Sequence, residues 1–92
     1  MSSQTFGERL AWLRKVGGVG SRELGQLAGL SDSYCSVVEP SAWKPGFATV
    51  ASIAEVFGVS MRWLGVGDGP LPDPAEVTAS VQRARERKSE AT

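Results

Sequence analysis

The stretch Gly29-Leu30-Ser31-Asp32-Ser33-Tyr34-Cys35-Ser36-Val37-Val38-Glu39 decides how this chain is read. Gly29 stands where a helix stops, because glycine tolerates the left-handed backbone that closes a last turn. Ser31 is a good N-cap, and Asp32 behind it suits the positive end of a helix dipole. The next helix is therefore expected from about Asp32 to Glu39, with Pro40 ending it. On the other side of Gly29, residues Ser21 to Ala28 place Leu24, Leu27 and Ala28 on one face. Two short helices separated by a tight turn are the centre of the molecule.

Working outward, Phe6, Leu10 and Leu13 fall at the i, i+4, i+7 spacing of an amphipathic helix over Thr5 to Val16, and Gly17-Gly18-Val19-Gly20 breaks it. After the loop Ser41-Ala42-Trp43-Lys44-Pro45-Gly46, the residues Val50, Ile53, Ala54 and Phe57 mark a fourth helix closed by Gly58, and Ser60 caps a short fifth with Trp63 and Leu64 turned inward. Gly65, Gly67 and Gly69 with Pro70, Pro72 and Pro74 form the one evident boundary. It divides the chain into a domain over 1–70 and, over 71–92, a Pro-containing linker and charged tail. Val77, Val81 and Ala84 are at helical spacing, so the tail is expected as a solvated, partly frayed helix.

Apolar residues make up 41% of the 92-residue chain and charged residues 22%, a globular rather than a disordered profile. One cysteine and no histidine exclude an internal disulfide and the usual Cys/His zinc spacings, so no metal or other cofactor is expected. No apolar run reaches the roughly 18–20 residues of a membrane span, and Met1-Ser2-Ser3-Gln4 lacks the regions of a signal peptide. A reducing, cytoplasmic setting is the expectation. Catalysis is not: there is no nucleophile-with-base arrangement and no phosphate-cradling Gly-x-x-x-x-Gly-Lys. Ten basic residues balance ten acidic ones, so any binding to nucleic acid depends on where the charges sit rather than on their sum.

The central stretch, with Pro45 six residues beyond it, resembles the Cro/CI-type, or lambda-repressor-like, helix-turn-helix family. The likeness extends through Phe6-Gly7-Glu8-Arg9-Leu10 with Leu13-Arg14, Arg22-Glu23-Leu24, and Thr49 through Ile53-Ala54 to Phe57-Gly58-Val59-Ser60. It ends at Trp63-Leu64 with Gly67-Asp68-Gly69-Pro70. It implies an all-α, five-helix DNA-binding domain followed by a short tail. It also implies a homodimer reading double-stranded DNA at two half-sites about one helical turn apart. Carried onto this chain, it puts Asp32, Ser33, Tyr34 and Val37 at base edges and Ser21, Arg22, Trp43, Lys44 and Phe47 at the sugar-phosphate backbone. Arg14 and Glu39 become a structural ion pair. A transcriptional regulator, either a phage-type repressor or an antitoxin, is the function implied.

The residues themselves leave alternatives open. Asp32 could accept a hydrogen bond from a cytosine amino group or serve only the helix dipole. Tyr34, at the third helical position, is expected to be exposed, with packing on the first helix as the other outcome. Cys35 is expected in the core, as is Trp63. The recognition helix holds no Arg, Lys, Asn or Gln, the residues that make the well-paired base contacts. That absence, with the neutral charge, supports a second function class: a helix-turn-helix scaffold that has lost DNA readout and binds a protein through Trp12, Trp43 or the tail. The cluster Gln82-Arg83-Ala84-Arg85-Glu86-Arg87-Lys88 is read either as a solvated face or as a contact to phosphates or a partner.

Overall fold

Helix α1 (Phe6–Gly17) begins at a capping box in which Thr5 and Glu8 exchange hydrogen bonds. Glu8 N–H donates to Thr5 Oγ1 at 3.1 Å, and Thr5 N–H donates to Glu8 Oε1 at 2.8 Å. After a short glycine link come α2 (Ser21–Ala28), α3 (Tyr34–Val38), α4 (Phe47–Phe57), α5 (Met61–Val66) and α6 (Pro74–Ala91). The computed structural model describes residues 4–41 and 44–91, Ala91 by its backbone alone. Among them there are six helices and no strand. None of these helices is long and apolar enough to cross a membrane.

A single core joins all six helices: Phe6, Leu10 and Leu13 from α1, Leu24 from α2, Cys35 and Val38 from α3, Ile53 and Phe57 from α4, and Leu64 from α5. From α6 come Val77, Val81 and Ala84. The segment expected as a solvated tail is therefore part of the packed body, and the helical chain is six helices rather than five and an appendage. The reason lies in the stripe of Val77, Val81 and Ala84, which finds an apolar surface made by α1, α2 and α4. Polar groups fix its position along that surface. Asp73 caps the helix by accepting from Ala75 N–H at 3.0 Å. The buried Ser80 hydroxyl donates to Val56 O at 3.0 Å, satisfying a carbonyl near the end of α4. Arg85 grips Glu23 on α2 through Nε to Oε2 at 2.7 Å and Nη2 to Oε1 at 2.8 Å, and also donates to Gly18 O. The radius of gyration, 12.2 Å, matches the roughly 12 Å of a compact chain of this length, which leaves no room for a projecting tail.

Arg9 fastens the other end. It is only 5% exposed, yet donates to Gln4 O at 2.7 Å, Leu64 O at 2.8 Å and Gly65 O at 3.1 Å. These bonds satisfy carbonyls at the end of α5 and clamp it to α1. Burial lowers the guanidinium's proton affinity, which nearby Glu8 partly restores. Trp63, buried as expected, meets the edge of Trp12 with ring centroids 5.9 Å apart and planes at 65°, a favourable aromatic geometry. Trp12 is thus half-buried against α5.

Candidate nucleic-acid interface

The α2–α3 unit is built by close backbone approach. A Cβ on Gly25 would stand 2.8 Å from both Leu30 O and Ser31 O, so only glycine lets the turn fold down onto α2. A Cβ on Gly7 would stand 2.6 Å from Val38 O and Glu39 O, so α1 and the end of α3 also meet backbone to backbone. Gly29 makes the turn itself with φ 73°, and Leu30 N–H donates to Gly25 O at 2.7 Å.

Helix α3 starts later than the sequence suggests, at Tyr34 rather than near Asp32, and ends at Val38. Ser31, Asp32 and Ser33 form a turn instead. The Asp32 carbonyl accepts from the Ser21 hydroxyl at 2.9 Å, tying the turn to the start of α2, and the expected cap at Ser31 gives way to Ser33 as the residue before the helix. Shortening α3 changes what it offers. Ser33, Ser36 and Val37 are exposed, Val37 at 66%, while Cys35 and Val38 are buried.

Tyr34 departs from the expectation of an exposed base-contacting residue. As the first rather than the third helical residue it is half-buried against the core, and its hydroxyl is enclosed without a hydrogen-bond partner among the described residues. Burial pushes the phenol's pKa up. The ring anchors the start of α3.

The remaining expected contacts separate into two groups. Ser21, Arg22, Asp32, Ser33 and Val37 belong to the α2–turn–α3 unit, with Arg22 Nε 3.5 Å from Asp32 Oδ2 and both side chains open to water. Lys44 and Phe47 lie along a groove of about 650 Å³ whose lining also includes Thr5, Phe6, Val50 and Val66, and none of the first group. Phe47, the first residue of α4, is 80% exposed. Trp43 lies outside the described residues.

Arg14 and Glu39 form a bidentate pair, Nε to Oε2 at 2.6 Å and Nη2 to Oε1 at 2.8 Å, and Arg14 also donates to Val19 O. The hydrogen bonds to Glu39 raise the arginine's proton affinity against the effect of burial. The pair holds the end of α3 against α1.

Three positioning features carried no functional assignment in the sequence reading. Gly7 and Gly25 sit inside helical segments, where glycine costs about 1 kcal/mol relative to alanine, and that cost is itself a sign of close approach. Arg9 lies three residues from Phe6 and so on the buried stripe, an unusual place for an unpaired cation. The pairing of Glu23 with Arg85 gave no signal, since the two lie 62 residues apart and Arg85 reads only as part of the basic cluster.

No family model matches the chain, no curated protein is significantly similar to it, and no solved structure matches it.

Proposed function

We propose that the chain is a sequence-specific DNA-binding regulator of the lambda-repressor-like helix-turn-helix type, acting as a homodimer. In this reading α3 enters the major groove and α2 lies across the backbone. The observation that supports it is the α2–turn–α3 unit: a turn packed directly on Gly25, and a short, uncharged helix that, with Ser33 before it, leaves Ser36 and Val37 in water, while Arg22 and Asp32 stand exposed at the turn. Serine hydroxyls donate or accept at several base edges, and valine packs on a thymine methyl, so this surface reads by hydroxyl and methyl contacts. Arg22 and Lys44 are the candidates for phosphate contact.

Selection from a random duplex pool at about 50 mM salt, where phosphate contacts are little screened, tests the reading. The expected result is an inverted repeat with half-sites about 34–36 Å apart along the duplex. Ser33→Glu, on an exposed residue, is expected to abolish enrichment while leaving the fold intact. Folded protein that enriches nothing overturns the proposal.

A second reading, a scaffold that binds protein instead, is favoured by the exposure of Phe47 and Val66 beside the groove rather than by Trp12 or the tail. Its mark is a change in particle mass by light scattering on Phe47→Ala, with no duplex binding by either form.

A further inference from the structure

The charged residues between Ser21 and Glu39 are Arg22, Glu23, Asp32 and Glu39. Two of the three carboxylates are engaged by arginines from elsewhere in the fold: Glu23 by Arg85 of α6 and Glu39 by Arg14 of α1, each through two hydrogen bonds. What is left on the surface of the unit is one cation and one anion facing each other, Arg22 and Asp32. Their side chains are 79% and 64% exposed, with Nε and Oδ2 3.5 Å apart. Asp32 does not reach this place by chance rotation of a long side chain. Its backbone is fastened by the Ser21 hydroxyl to the residue next to Arg22, so the carboxylate is short, local and held beside the guanidinium.

We propose that Asp32 is an internal stand-in for a duplex phosphate: it occupies Arg22 and so suppresses binding to DNA of arbitrary sequence. The inference rests on the DNA-binding reading above and adds how that reading is regulated. At 3.5 Å the carboxylate oxygen is within ion-pair distance but farther than the about 2.7–2.9 Å of a charge-assisted hydrogen bond, so it competes with a phosphate oxygen for the same guanidinium without saturating its donors. It also cancels the local positive field that draws a polyanion toward the unit. Sequence-independent affinity comes from neutralised phosphates, so a chain whose α2–α3 surface carries no net charge binds random duplex weakly. The Coulomb energy of so exposed a pair is small, which makes it displaceable rather than permanent.

The experiment is a titration of a random-sequence duplex by fluorescence anisotropy, over about 50 to 200 mM salt, with wild type, Asp32→Asn, Arg22→Ala and the double variant. Asp32→Asn keeps the shape and the backbone bond to Ser21, so its melting temperature should stay within about 2 °C of wild type. The expected result is a gain in affinity of about 3- to 10-fold at the lowest salt. The slope of log K against log salt should steepen by about 0.9, one more neutralised phosphate. The double variant should lose both changes. A gain that survives Arg22→Ala overturns the proposal, because it then reflects bulk charge alone. So does unchanged affinity for random duplex with loss confined to a selected sequence, which would make Asp32 a base reader. If folded wild type and Asp32→Asn both fail to bind duplex at the lowest salt, the DNA-binding reading itself falls and this inference falls with it.

Discussion

Helix α6 runs for 18 residues and helix α3 for five. The long helix sets Val77, Val81 and Ala84 into the core, adds the buried Ser80 bond to Val56, and is locked to α2 by Arg85. The short one buries Cys35 and Val38, and holds its place through the Arg14–Glu39 pair and the backbone approach at Gly7. Around it Ser33, Ser36 and Val37 are left in water. The long helix is thus tied to the body along its length, whereas the short one sets two small side chains inward and leaves the rest of its surface to water. The outward residues of so short a helix can vary with little effect on folding, provided the backbone contacts that seat it are kept.

The harshest way to break this contrast is to end the chain at Pro70. Each fully buried valine is worth about 1.5–3 kcal/mol, so losing Val77 and Val81 alone removes about 3–6 kcal/mol from a total of about 5–15 kcal/mol. The truncated chain is expected to have lost its cooperative thermal transition by circular dichroism. A melt like that of the full chain would show α6 to be dispensable.

Gly7→Ala strikes the seat of α3 instead. With backbone on the far side of the new methyl, the helix must shift, at a cost of about 1–3 kcal/mol in urea unfolding. Stability unchanged within 0.5 kcal/mol would mean that α1 and α3 part easily.

Glu23→Gln loosens the tie between α6 and α2, with an expected loss of about 0.5–1 kcal/mol, since the pair is partly exposed. Its hydrogen bonds to Arg85 hold the Glu23 carboxyl below its ordinary pKa. A depressed carboxyl stabilises the fold above its unfolded pKa and stops doing so as pH falls through the folded value. The gap between wild type and variant should therefore be constant above about pH 5, narrow on acidification, and close once Glu23 is protonated in the folded state. A gap that widens in acid contradicts the pairing.

Smallest of all, Val37→Asp should leave stability within about 0.5 kcal/mol of wild type, because the residue is 66% exposed. The same change should sharply weaken duplex binding, through a new negative charge beside the phosphates. A clear loss of stability would place Val37 in the fold rather than on the surface.

The helices were legible where chemistry is local. Ser60 caps α5 through the Arg62 and Trp63 amides and Gly29 ends α2, both as expected, while the Thr5–Glu8 capping box is a local signal that the sequence reading left unused. The register of α3 was not, because Ser31 has the right side chain for a cap while the position of the turn is set by its backbone contacts with Gly25 and Ser21. The two-residue difference changed the reading of Tyr34 from exposed to half-buried. For α6 the apolar spacing was visible, but the prolines before it and the charges within it suggested solvent. Only the tertiary partner surface on α1, α2 and α4 reveals that the stripe is used. On the candidate interface, the outward placing of Ser33 and Val37 followed from the resemblance, whereas the Arg22–Asp32 pairing depends on how the turn brings two helices' ends together.

Cys35 gives the chain an internal clock. It is the single thiol, sits on the inner side of α3 and is 1% exposed, with burial pushing its pKa up. A thiol-specific reagent therefore reacts only during those intervals when α3 has lifted away or the chain has opened further. The labelling rate, divided by that of an unhindered thiol at the same pH, counts the fraction of molecules in which the helix is undocked. Ligand that requires α3 seated must slow that rate in proportion to its occupancy. Once labelled, the enlarged side chain no longer fits its cavity, so each reacted molecule records one opening that cannot be reversed.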